Sequence, residues 1–222
     1  MKSRIIIATV LIVFLTAGVF GVVKRQTYTD LTSESDYLDK FYVAVIPEER
    51  VLSACDFLYK EIQKLPIVMK VKCVEEREYV FGAGHQKVRV EEIFKGSELV
   101  EGDEFYLYSN GWDFVFHSTP ITAELGFQEL MKPGEEYLVF LTGNTVKIYK
   151  EDGIGYEVYN DLVLKPIFHY GSCEHTPVEL DENAGHTYVP YLKVKGNEMF
   201  TDTVAGYETW LALKEKLFEK YA

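Results

Sequence analysis

VRVEEIFKGSELVEGDEF, from Val88 to Phe105, is the stretch that decides the fold. Val88 and Val90 alternate with Arg89 and Glu91, the period of a strand with one buried face. The phase then breaks. Glu92 falls where an apolar residue is due, and Ile93 and Phe94 follow. One extra residue here predicts a β-bulge, which coils a strand around a small barrel. Lys95-Gly96-Ser97 and Glu101-Gly102-Asp103 bracket a loop, and Glu104 to Tyr108 resumes the alternation, with Phe105 and Leu107 on one face and Tyr106 and Tyr108 on the other.

Outward from this segment the same grammar continues. Ile67 to Val74 is strongly β-prone, and Gly82-Ala83-Gly84 turns the chain into the quoted strand. Tyr137 to Leu141 is apolar on both faces and predicts a buried central strand. Gly143-Asn144 reads as a hairpin turn that sends Thr145 to Tyr149 back along it. Short strands are expected at Tyr156 to Tyr159, Leu162 to Leu164 and Tyr188 to Val194, and Ile121 to Leu130 reads as a short helix or an irregular crossover. Two helices flank the strands. The first runs from Pro47 to Leu65, with Val51, Cys55, Leu58, Ile62 and Leu65 at spacings of four and three, and Pro66 stops it. The second spans Val204 to Tyr221, with Val204, Tyr207, Leu211, Phe218 and Tyr221 on one face and Trp210 and Leu217 beside it. The sum is a mainly β domain: a small antiparallel barrel with flanking N- and C-terminal helices.

Ahead of the domain, Ile5 to Val23 is a run of 19 residues without a charge, nearly long enough at about 1.5 Å per residue to span a bilayer core. Lys2 and Arg4 precede it, which favours a cytoplasmic N-terminus, and Lys24 and Arg25 follow. The apolar run continues up to those charges, and the one passable cleavage site, Val19-Phe20-Gly21, has a bulky middle residue, so a retained anchor is favoured over a cleaved signal. The expected organisation is a transmembrane signal anchor at 1–25, a polar linker at 26–46 and an extracytoplasmic domain at 47–222, released into the medium if the anchor is cleaved.

The chain of 222 residues carries a net charge of −12, and four of its basic residues flank the apolar run. An acidic domain of this kind repels phosphate backbones, so nucleic acid is excluded as a partner. The expected partners are the membrane, through the N-terminal helix, and a protein outside the cell.

Two segments taken together, Val88 to Phe105 and LMKPGEEYLVFL at Leu130 to Leu141, carry a strand ending in a Lys-Gly turn, a Gly-Asp turn into the next strand and a Gly-Glu turn into a buried strand. This pattern resembles exported bacterial domains of the netrin-like or metalloproteinase-inhibitor-like type, and the resemblance implies an OB-type barrel over roughly Ile67 to Tyr149. The inhibitors of that group act through an N-terminal cysteine in a dense disulfide frame. This chain has three cysteines, so the resemblance implies the barrel and no functional residue.

Candidate chemistry is sparse. Cys55, Cys73 and Cys173 are most simply buried small apolar residues, and a Cys55–Cys73 bridge is the alternative that their neighbouring elements suggest. His169, Cys173, His175 and His186 form the densest set of metal-capable side chains, and imidazole with thiolate would suit zinc. Their spacing matches no zinc signature, so no cofactor is expected, with zinc the exception to test. Trp112, Phe114 and Phe116 place three large aromatics in one loop, which either folds over the barrel end or binds a ligand. Gly153-Ile154-Gly155 precedes no helix and Asp181 to Gly185 lacks the final Glu of a calcium loop. With no catalytic motif in view, a membrane-tethered extracytoplasmic binding or interaction module leads over an enzyme. A metal-binding protein or metal-dependent hydrolase using the His169–His186 segment, and a structural envelope component, are the other readings.

Overall fold

The computed structural model describes residues 13–14, 16–21, 36–80, 83–96, 98–108, 114–115, 121–148, 153–159, 163–172, 175–180 and 188–221. Two compact units are present, Met1–Tyr37 and Leu38–Ala222. In the first, 13–14 and 16–21 are helical. Most of Ile5 to Val23 lies outside the described residues, and among those described no helix is long and apolar enough to cross a membrane.

The second unit contains, in chain order, β1 (Tyr42–Ala44), α1 (Glu48–Ile62), β2 (Ile67–Cys73), β3 (Glu78–Val80), β4 (Ala83–Lys95), β5 (Glu104–Tyr108), β6 (Phe114–Val115), β7 (Thr122–Ala123), β8 (Glu136–Ile148), β9 (Gly153–Val158), β10 (Ile167–His169), β11 (Tyr188–Pro190) and α2 (Val204–Tyr221). It begins inside the stretch read as a linker: Phe41, Val43, Val45 and Ile46 are buried, and β1 pairs with both β11 and β7.

Five strands close on themselves. β2 pairs with β4, β4 with β5, β5 with β9, β9 with β8, and β8 returns to β2. The sequence implies an all-antiparallel barrel, whereas the β5–β9 contact is parallel. Period-2 alternation sorts the side chains. Met69, Val71, Val88, Val90, Phe105, Leu107, Val139 and Leu141 fill the interior. Val68, Leu138 and Phe140 point outward into a second core under the helices, which is why Tyr137 to Leu141 is apolar on both faces.

The bulge expected near Glu92 is present. Along β2 the partners step from Lys95 to Ile93 and from Glu92 to Val90, so Phe94 and Glu91 are the extra residues of two successive irregularities. The expected hairpin at Gly143-Asn144 is not formed. β8 runs straight through it, and the register against β9 shifts between Leu141 and Thr145. Gly143 takes φ +84°, a left-handed conformation natural to glycine. Asn144 Nδ2 and Thr142 Oγ1 both donate to Glu157 Oε2 on β9, at 2.7 and 3.0 Å. Gly-Asn is turn chemistry, used here for a bulge that bends a long strand around the barrel.

The helices lie on the outer face of β2, β8 and β10, with Val51, Cys55, Leu58 and Ile62 of α1 and Tyr207, Trp210, Leu213 and Leu217 of α2 in the shared core. Their N-termini cap one another. Pro47 has no side chain to offer, and Glu48 N donates instead to Asp202 Oδ1 (2.9 Å). Thr203 Oγ1 accepts from Gly206 N (3.0 Å) and donates to Glu48 Oε2 (2.7 Å). The face of α2 differs from the one expected: Val204 is exposed, and Trp210, Leu213, Lys214 and Leu217 are buried.

Cys55 lies in the helix–sheet core and Cys73 in the barrel interior, each a free thiol, so the Cys55–Cys73 bridge is absent. Burial pushes both thiols up to about 12; they are inert packing residues.

Candidate functional site

β10 adds a sixth strand beside β8, Phe168 opposite Leu138 and His169 opposite Tyr137. Phe168 turns into the helix core and stacks on Trp210, centroids 4.8 Å apart. Ile167 and His169 turn the other way, onto the face that continues the barrel interior. A cavity of about 50 Å³ opens there at one end of the barrel. Its walls are β10, the end of β5, Val158 of β9 and the segment from Leu125 to Lys132.

The outer edge of β10 is closed by side chains in place of another strand. Gln128 Nε2 donates to Ile167 O (3.1 Å), and His169 N donates to Glu198 Oε1 (3.2 Å). Segments 127–129 and 198–200 hold each other through Glu129 N to Glu198 O and Phe200 N to Phe127 O. Phe127 sits at φ +60°, next to Gly126 at +68°. A phenylalanine in the left-handed region costs on the order of 1–3 kcal/mol, and such strain gathers at functional sites.

The charged groups are tightly partnered. Glu198 Oε2 accepts from Lys214 Nζ at 2.6 Å, and Lys214 also donates to Gly171 O at 3.0 Å. Both side chains are buried, 7 % exposed. His169 Nε2 meets Glu135 Oε2 at 2.7 Å, and its ring lies against Tyr137, centroids 5.0 Å apart. The Tyr137 hydroxyl donates to Glu135 Oε2 (3.3 Å) and accepts from Lys132 N (2.8 Å). Burial holds His169 below the usual histidine range, outweighing the pull of Glu135 and Glu198 toward the charged form. Burial likewise raises the Tyr137 hydroxyl, which stays a neutral donor. Glu129 accepts from the Tyr191 hydroxyl and from Gly196 N.

Two carboxamides stand apart. Gln86 is 1 % exposed and Gln128 is 5 % exposed. Gln86 Nε2 donates to Met131 O (2.7 Å) and Glu75 O (3.2 Å), and Gln128 Nε2 to Ile167 O. Carbonyls accept only, so both amide orientations are fixed. That leaves Gln86 Oε1 and Gln128 Oε1 as buried acceptors with no hydrogen-bond partner among the described residues, each costing about 1–3 kcal/mol if nothing satisfies it.

Of the residues expected from sequence that are described, one reaches this cleft. Phe114 lies on β6, its backbone opposite Ala123; Trp112 and Phe116 lie outside the described residues. Of the metal-capable set, His169 belongs to this cleft, while His175 stacks on Tyr207 of α2, centroids 4.4 Å apart. Cys173 and His186 lie outside the described residues. Among the described residues no group of three or more His, Cys, Asp or Glu side chains is placed to hold a metal.

Sequence reasoning missed Gln86, Gln128, Glu135, Glu198 and Lys214. Gln86 had a signal, since it occupies the interior phase of β4 with Val88 and Val90. Lys214 had one too: Tyr207, Trp210, Lys214, Leu217 and Tyr221 form an unbroken stripe at spacings of three and four. No family profile matches the chain, and no curated protein sequence matches it.

Proposed function

We propose that Leu38–Ala222 is an extracytoplasmic ligand-binding module, tethered to a membrane through Ile5 to Val23, and that it binds through the cleft beside β10. The observation that carries the site is the pair of buried carboxamide oxygens, Gln86 Oε1 and Gln128 Oε1, fixed in orientation and lacking partners in the walls of one cavity. Buried acceptors are satisfied in folded proteins by protein, ordered water or ligand. Phe127, the residue before Gln128, holds a left-handed conformation that fixes the chain where Gln128 enters the wall.

The barrel supports the module reading. Numbered from β2, its strands close in the order 1-2-3-5-4, with the third and fifth parallel, the connectivity of an OB-type barrel, a scaffold that presents ligand sites on many unrelated functions. The apolar run supports the tether by its length.

Four methionines make the site measurable. Met131 lines the cleft, Met69 lies in the barrel interior and Met199 in the helix core. In a methyl-¹³C-methionine spectrum of the full-length chain in detergent, small-molecule fragments that bind this module are expected to move the Met131 methyl while Met69 and Met199 stay in place. Binding fragments that leave Met131 unmoved would remove the cleft as the site.

A further inference from the structure

We infer that a groove along α1 takes an apolar monocarboxylate of the medium-chain fatty acid class, with its carboxylate on Arg50. The groove has a volume of about 320 Å³ and shares no lining residue with the cleft beside β10. Arg50, Ser53, Ala54 and Phe57 line it from α1. Their spacing of three and four makes them one helix face, beside the stripe through Val51 and Leu58 that enters the core. The connection from β1 to α1, Phe127 and Val163 complete the lining. Phe57 is 50 % exposed and Val163 52 % exposed, so two large apolar side chains of this one groove stand open to water.

Arg50 is the single charged residue of that lining, and its guanidinium has no ion pair or hydrogen bond among the described residues. The sequence explains why. The positions three and four residues away, Ile46, Pro47, Ser53 and Ala54, carry no carboxylate. Glu48 turns to Thr203 of α2, and Glu49, one residue away, does not face Arg50 on the helix. The Ser53 hydroxyl donates to Arg50 O at 2.9 Å, so its proton is spent and the guanidinium is the side-chain donor that the groove offers. A planar fork of donors matches a carboxylate, and the other walls call for an apolar body behind it. A cationic head would be repelled, and a sugar would leave its hydroxyls against apolar walls. Size fits the same class. An apolar cavity of about 150 Å³ holds benzene, so about 320 Å³ has room for roughly twice as many carbons, within the range of small-molecule sites.

The test uses the full-length chain in lipid nanodiscs, with 4-fluorophenylalanine in place of Phe57 as a ¹⁹F reporter. The probes are octanoate, octanol, octylamine, acetate and N-acetyl-alanyl-phenylalanine, each referred to its free concentration. Octanoate is expected to shift the reporter saturably, about fivefold more tightly than octanol, the upper range for an exposed ion pair. It should leave the Met131 methyl of the cleft in place, and acetate, lacking the chain, should be silent. Arg50→Met, at an exposed position with no partner to lose among the described residues, should bring octanoate down to the octanol level and leave octanol unchanged. Val163→Glu, also exposed, should weaken both. Octanol or octylamine binding as tightly as octanoate would overturn the carboxylate. The acetyl dipeptide binding more tightly than octanoate would give the groove to a peptide C-terminus and overturn the fatty acid class. Octanoate moving Met131 in place of the reporter, or no probe moving the reporter, would remove the groove as its site.

Discussion

Lys214 is where a single side chain matters most. Its ammonium is buried with the Glu198 carboxylate, and that carboxylate also receives the His169 amide that would otherwise be orphaned at the edge of β10. Replacing one member of a buried ion pair strands the other, at a cost of about 3–5 kcal/mol. Lys214→Met is therefore expected to lower unfolding free energy by that amount in a denaturant titration. Adding Glu198→Gln, which removes the stranded charge but keeps an acceptor for His169 N, should recover most of it. A double variant no more stable than the single would show that the pair does not act as a unit. His169 gives a second expectation. Its native pKa is lowered by burial, so the unfolded chain binds more protons as pH falls through the ordinary histidine value near 6.5. This contribution to stability is fully present above about pH 6.5 and is lost as the pH drops toward the native pKa. His169→Gln should flatten the stability profile between about pH 7 and 5; an unchanged slope would assign the titration elsewhere. His175, also lowered by burial, shares the same sign.

Among the elements, strands with one-sided or two-sided burial were readable. β5 follows from alternation, β2 from its β-prone run and the start of β8 from a run apolar on both faces, and the break of phase at Glu92 marks the bulged stretch of β4. Short strands were not readable. β1, β3 and β10 have three residues each, too few to establish a period, and they exist because a neighbouring strand offers an edge. Gly143-Asn144 misled because hairpins and bulges ask for the same left-handed residue, and only the tertiary path separates them. On α2 the buried stripe passes through Lys214, a charged residue that an apolar periodicity does not count, so the stripe through Leu211 and Phe218 reads as the apolar face. The cleft was legible only in part: His169 was singled out as a metal ligand, but its partners Glu135 and Glu198 lie 34 and 29 residues away in sequence, and no local pattern connects them. The reciprocal caps of α1 and α2 were hidden for the same reason. Thr203 serves both helices, through Gly206 N and Glu48 Oε2. Thr203→Ala is expected to cost about 1–2 kcal/mol and to lower the thermal midpoint by a few degrees; a change within error would make both contacts dispensable.

At the scale of the whole molecule, two cores share one sheet. The barrel interior and the helix core meet back to back across β2 and β8. The cleft lies beside that shared sheet, with β10 carrying Phe168 into the helix core and His169 into the cleft. Rigid support for a few oriented polar groups is what a small-ligand site requires. The most direct test of the cleft as the ligand site is a crystal structure of the protein soaked with the small-molecule fragments that bind this module, at about 1.5 Å, where ordered water and a small ligand are distinguishable. The account predicts continuous density larger than water in the cleft, within about 3 Å of both Gln86 Oε1 and Gln128 Oε1. A cleft holding only separate ordered waters on those two oxygens would contradict it.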